Sequence, residues 1–190
     1  MKKLFLTTAL ALGLTTAAAS AADFDRAVGN LELYTGNFAF KLDTEDNLKV
    51  GVFVTENETV LGYGTLYLEA GVNLDTEETT ARVEYSVGRD NGSFGYYVAP
   101  ALEYRSALDT VVFDPYAGVT LGIGGVGVSY VEVGTTVDLD GGVNLGSWAE
   151  FGVDFSLTEN TILTPAIVHS FDVPGVKDET QLELTVAVVF

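Results

Sequence analysis

The stretch SFGYYVAPALEYRS, residues 93–106, sets Phe94, Tyr96, Val98, Pro100, Leu102 and Tyr104 at alternate positions, with Tyr97, Glu103 and Arg105 on the other parity. Side chains of a strand alternate between its two faces, so one face here is apolar with aromatics at both ends, and the other carries the charges. From Phe94 to Tyr104 the chain runs roughly 33 Å at ~3.3 Å per residue. A tilt of about 40° lowers the vertical span to roughly 25 Å, the height of the apolar band between the aromatic girdles of a membrane barrel.

The period of two extends over the rest of the chain. Ala81, Val83, Tyr85 and Val87 oppose Arg82, Glu84 and Ser86, while Val143, Leu145, Ala149, Phe151, Val153 and Phe155 oppose Asn144, Trp148, Glu150 and Asp154. Expected strands are Leu31–Leu42, Leu48–Thr55, Val60–Leu74, Thr79–Arg89, Ser93–Ser106, Thr110–Ile123, Val126–Leu139, Val143–Leu157, Thr161–Phe171 and Glu179–Phe190. The breaks between them, DTEDN, ENET, DTEE, DNG, ALD, GG, DGG, TEN and DVPGVKD, are rich in Asp, Asn and Gly, which tolerate turn backbone angles. There is no helical period and no linker, so one all-β domain is expected.

Charge and composition narrow the function. The formal charge is -18, from 27 acidic and 9 basic residues, which argues against nucleic acid and against docking on anionic lipid through a basic face. Hydrophobic residues make up 47% of the chain, too many for an acidic disordered segment. Cysteine is absent, so disulfides cannot hold the fold. At the start, Met1-Lys2-Lys3 is basic, Leu4 to Thr16 is apolar, and Ala19-Ser20-Ala21 has the small-x-small form of a cleavage site. A signal peptide over 1–21 and a barrel domain over 22–190 are expected.

A soluble barrel turns its apolar face inward, and a membrane barrel inverts the assignment. The leader, the even strand count and the girdle spacing favour the membrane. The final run LELTVAVVF, residues 182–190, resembles the β-signal of Gram-negative outer-membrane β-barrel proteins, with an aromatic end preceded by alternating apolar positions. The resemblance implies a transmembrane antiparallel up-and-down β-barrel in the bacterial outer membrane. It also implies that Leu182, Leu184, Val186, Val188 and Phe190 face outer-membrane lipid and are read by the barrel-assembly machinery. Ten strands are expected, with eight as the alternative, and an even count puts both termini on one side.

Two features resist this pattern. Pro100, Pro115 and Pro165 fall inside expected strands, where a proline cannot donate to the ladder, so each requires a bulge, a rim position or a shorter strand. In the seventh segment Val126, Val128 and Tyr130 share parity with Glu132, while Val131, Val133 and Val137 share the other; a bulge near Tyr130–Val133 would reconcile them.

With the apolar faces outward, the lumen receives Glu69, Glu84, Glu103, Asp114, Glu150, Asp154 and Glu183 against Lys41, Lys49, Arg82 and Arg105, with Tyr63, Tyr67, Tyr97, Tyr116 and Trp148. One reading packs the interior with paired charges, as small barrels usually do. The other admits water and lets surplus carboxylates favour cations. The expected function is therefore a non-enzymatic structural envelope protein or a narrow cation-preferring pore. The alternative is an exported soluble β-barrel binding a small apolar ligand. A membrane-embedded hydrolase would need His169, the one histidine, with a rim acid such as Asp172. No catalytic, cofactor or metal residues are assigned, and no cofactor is expected. The rim acids Asp43, Glu45 and Asp46, and Asp75, Glu77 and Glu78, could share divalent cations, although solvated turns are the simpler expectation. GIGGVG, residues 122–127, has no following helix and is not a phosphate cradle. The short turns count against adhesion.

Overall fold

The computed structural model describes residues 37–59, 62–91, 93–175 and 177–189. The expected signal peptide, the start of the first expected strand and Phe190 lie outside the described residues. The strand segments are β1 (Asn37–Asp43), β2 (Asn47–Thr59), β3 (Gly62–Asn73), β4 (Thr79–Asp90), β5 (Phe94–Ala99), β6 (Ala101–Arg105), β7 (Thr110–Phe113), β8 (Tyr116–Gly122), β9 (Gly127–Asp138), β10 (Asn144–Thr158), β11 (Thr161–Phe171) and β12 (Glu179–Val188). GIGGVG supplies a single 3-10 turn, Gly124–Val126, with Gly124 at φ 69, where a side chain would be strained.

Pairing is antiparallel throughout, and β12 returns to β1 with Phe38 opposite Val188 and Leu42 opposite Leu184. That last ladder closes the sheet and leaves no edge. β5 and β6 follow each other along β4, and β7 and β8 follow each other along β9, so the twelve segments form ten staves. Ten, not eight, is the number among the described residues.

The prolines account for the split staves. Pro100 separates β5 from β6, and Pro115 separates β7 from β8, because neither nitrogen carries a hydrogen for the ladder. Pro165 stays inside β11 and keeps its place opposite Leu184 of β12, whereas the β10 ladder has no partners for Thr164 and Pro165. The bulge expected near Tyr130–Val133 is not there. β9 runs in unbroken register along both β8 and β10 from Val128 to Gly134, and the shift lies instead at Asn144/Gly146 of β10. Tyr130 and Glu132 therefore share the inner face, where Glu132 accepts the Tyr97 phenol proton and needs no bulge to turn it outward.

The outer surface is the apolar one. Leu182 is 57% exposed, with Val52, Leu68, Val98, Leu102, Val133, Phe151 and Ile167 also exposed, whereas Glu103 on the opposite parity is 6% exposed. A soluble ligand-binding barrel requires the reverse. In the final strand Leu182 and Leu184 are exposed, but Val188, expected to face lipid, is 1% exposed and flanked by Phe38 and Thr161. The exposed strip thus ends short of the rim.

Inside, large rings lie on glycines of the neighbouring stave. Tyr97 is opposite Gly118, Tyr130 opposite Gly152 and Trp148 opposite Gly134. A Cβ at Gly134 would come within 2.6 Å of the Trp148 ring, and the Tyr97 and Tyr130 rings would meet a Cβ on their own glycines. Only a residue without a side chain lets a ring rest flat against the wall. A small apolar patch of Ala39, Phe53, Ile162, Ala187 and Val189 covers the inner wall at the end where β1 begins and β12 finishes.

Candidate functional site

The lumen holds a cavity of about 590 Å³. All sixteen residues expected in the interior line it, among them Glu69, Arg82, Glu84, Glu103, Arg105, Asp114, Glu150, Asp154 and Glu183. Tyr130 and Glu132 also line it and were missed, since valines on both parities of stave seven hid which face was inward. Strict alternation from Tyr130 to Glu132 was the available signal.

Arg82 is the hub. Its Nη1 lies 2.5 Å from Asp114 Oδ2 and 3.3 Å from Glu103 Oε2, and its Nη2 lies 3.1 Å from Glu84 Oε2. Asp114 is further held by Trp148 Nε1–H and Thr136 Oγ1–H, each donating at 2.9 Å. Glu103 accepts from Arg105 Nε–H at 2.6 Å, and Glu84 accepts from the Tyr116 hydroxyl. The guanidinium also sits 6.0 Å from the Tyr116 ring centre, within cation–π range. Three adjacent staves are cross-linked by one planar donor that can serve several carboxylates at once.

Across the lumen, Lys41 pairs with Glu183 at 2.9 Å and Lys49 approaches Glu69 at 3.7 Å. Hydroxyls hold other acids: Tyr67 donates to Glu69 at 2.7 Å, Tyr130 to Glu150 at 2.5 Å and Thr164 to Asp154 at 2.6 Å. Among the described residues, ten acidic side chains line the cavity against four basic ones. Walls of low dielectric focus such an imbalance into a negative potential along the bore.

The rim acids behave differently. Asp43 accepts from the backbone of Glu45 and Asn47, at 2.9 and 3.0 Å, and shapes its own turn. Asn73 binds the Glu45 carbonyl at 2.8 Å and caps its own turn at Asp75 and Thr76, tying neighbouring turns together. Among the described residues, no group of three or more acids or histidines is placed to hold a metal ion. At Glu45, burial first and then the charge of Glu179 push the carboxyl above its usual range. Folding thus penalises the ionised form at neutral pH, and the penalty fades as pH falls toward the unfolded-chain value of about 4.3. Glu45→Gln is expected to raise the urea midpoint in detergent at pH 7 and to lose that gain at about pH 4. An equal gain at both pH values would contradict the assignment.

His169 is exposed on the outer parity, with Nδ1 2.9 Å from Thr180 Oγ1 and its ring stacked on Phe171. Asp172 follows at φ 56 in the turn after β11. The lone histidine is thus engaged by a threonine on the outside of the wall.

No protein-family model matches the chain, and no curated protein matches it in sequence. Among solved structures it is similar to the KdgM porin, with a TM-score of 0.53 at 9% identity over 82% of this chain and 99% of that one. The NanC porin aligns with a TM-score of 0.49 at 9% identity, over 81% and 99% of the two chains. Outer membrane phospholipase A from Escherichia coli aligns with a TM-score of 0.40 at 9% identity, over 90% and 99%. At these identities the likeness is one of fold alone: the described residues form a closed antiparallel β-barrel of ten staves, the fold seen in the KdgM porin.

Proposed function

We propose that this barrel is a non-enzymatic, narrow, cation-preferring pore of the bacterial outer membrane, exported by its leader and assembled through its last strand. The observation that carries the reading is the lumen cavity of about 590 Å³, lined by ten acidic and four basic side chains. Rings that rest on Gly118, Gly134 and Gly152 leave room that rings crossing the bore would fill. A plugged structural envelope protein is the second reading, and the Arg82 cluster, which joins three staves, favours it.

Reversal potentials in planar bilayers under a potassium chloride gradient test the proposal. Potassium is expected to carry most of the current, and Glu132→Gln with Glu150→Gln to lower the cation-to-anion permeability ratio at least about twofold. Silence in a verified folded barrel selects the structural reading, and anion preference overturns the pore as stated.

A further inference from the structure

Two prolines weaken the wall at one place. Pro100 and Pro115 interrupt adjacent staves, and between the pairs Ala99/Tyr116 and Leu102/Phe113 the ladder lapses. One bond bridges the interval, from Asp114 N–H to the Ala101 carbonyl at 2.9 Å. The loss is chemical, since neither proline nitrogen can donate.

On the outside this interval opens into a notch of about 550 Å³ bordered by Val98, Pro100, Pro115 and Val133. Where the floor is formed from outward positions the side chains are small, as at Ala117 and Ser147. Tyr116 and Trp148, whose polar atoms bind lumen carboxylates, also line the notch. Both residues thus border the notch on one side of the wall and the lumen on the other.

We propose that the notch seats one hydrocarbon chain of a membrane lipid, packed against Trp148 and Tyr116. The occupant follows from where the notch lies. It sits midway along the stave whose outward aromatics are Phe94 and Tyr96 at one end and Tyr104 at the other, and it is continuous with the exposed apolar strip that meets the bilayer. Among the described residues that line it none is charged, which suits an alkyl chain and not a headgroup. Its volume falls within the range of small-ligand pockets. An occupied notch bears on the two rings that hold Asp114 and Glu84, and through them on Arg82. The proposal rests on the transmembrane fold and is independent of ion conduction.

Trp148 is the only tryptophan of the sequence, so its emission reports this one place. The full chain is reconstituted in phosphatidylcholine vesicles whose acyl chains carry bromine at mid-depth, with unbrominated vesicles as reference. Most of the emission is expected to be lost to the brominated chains, whereas acrylamide in the water reports only the lumen side of the residue. Ala117→Phe fills the notch and is expected to restore the emission, and Ser147→Leu does so from the other side. Heat-modifiable migration on electrophoresis verifies that each variant is folded. Equal bromine quenching in the wild type and the folded, filled variants overturns the proposal, as does quenching by acrylamide alone. A barrel that carries no current leaves this readout intact, so failure of the pore reading is seen separately.

Discussion

Gly118→Val is expected to keep most of the protein from reaching the folded, heat-modifiable state. Gly118 faces Tyr97 across the ladder, and the Tyr97 ring occupies the space a Cβ would need. That ring has little freedom to retreat, being 6% exposed, bonded through its hydroxyl to Glu132 and set edge-on against Tyr116 at 6.2 Å. Overpacking costs about 1–3 kcal/mol. A displaced phenol gives up its hydrogen bond to the Glu132 carboxylate, a further loss of about 1.5–3 kcal/mol. Together these come to roughly 2.5–6 kcal/mol, a large share of the ~5–15 kcal/mol that holds an ordinary domain folded. Tyr97→Ala placed in the same chain removes the overlap, so the double variant is expected to fold better than Gly118→Val alone. Urea titration in micelles measures both, and an unchanged midpoint for Gly118→Val would refute the packing described.

Arg82→Met has the second large expected effect. The substitution keeps the stem and removes the charge that Glu84, Glu103 and Asp114 share. Leaving buried charges without their partner costs about 3–5 kcal/mol. The three acids then repel one another in a bore already rich in carboxylates. Neutralising them as Glu84→Gln, Glu103→Gln and Asp114→Asn in the same chain is expected to recover much of the loss. If enough Arg82→Met folds to be reconstituted, its cation preference should exceed that of the wild type. A stability unaffected by Arg82→Met would show that the cluster does not hold the staves together.

Much of this was legible in the residues alone. The alternation in 93–106 and the Asp, Asn and Gly breaks placed nearly every stave, because a strand's period of two is local and turn chemistry is local. Parity also assigned the lumen side of eleven charged residues, all of which line the cavity. Stave seven misled, because valine suits a lipid-facing and a lumen-facing site equally well, and only its neighbours' register settles Tyr130 and Glu132. The prolines announced irregularity but not its kind. Pro100 and Pro115 split their staves, while Pro165, whose missing donor falls on the β10 side, did not. The open volume was beyond reach for a similar reason. Whether Tyr97 crosses the bore or lies against the wall depends on its meeting Gly118, and that pairing joins residues of different staves.

Those ring-and-glycine pairs also make the bore adjustable. Each ring is a tile of constant thickness laid on a wall whose hydrogen bonds do not involve it. Lifting one, for example by Tyr130→Ala opposite Gly152, widens the passage locally by about 3.5 Å while leaving the ladder as it was. In the pore proposed above, a maker of nanopore sensors could therefore set the diameter in discrete steps, choosing which tiles to remove, without redesigning a single strand.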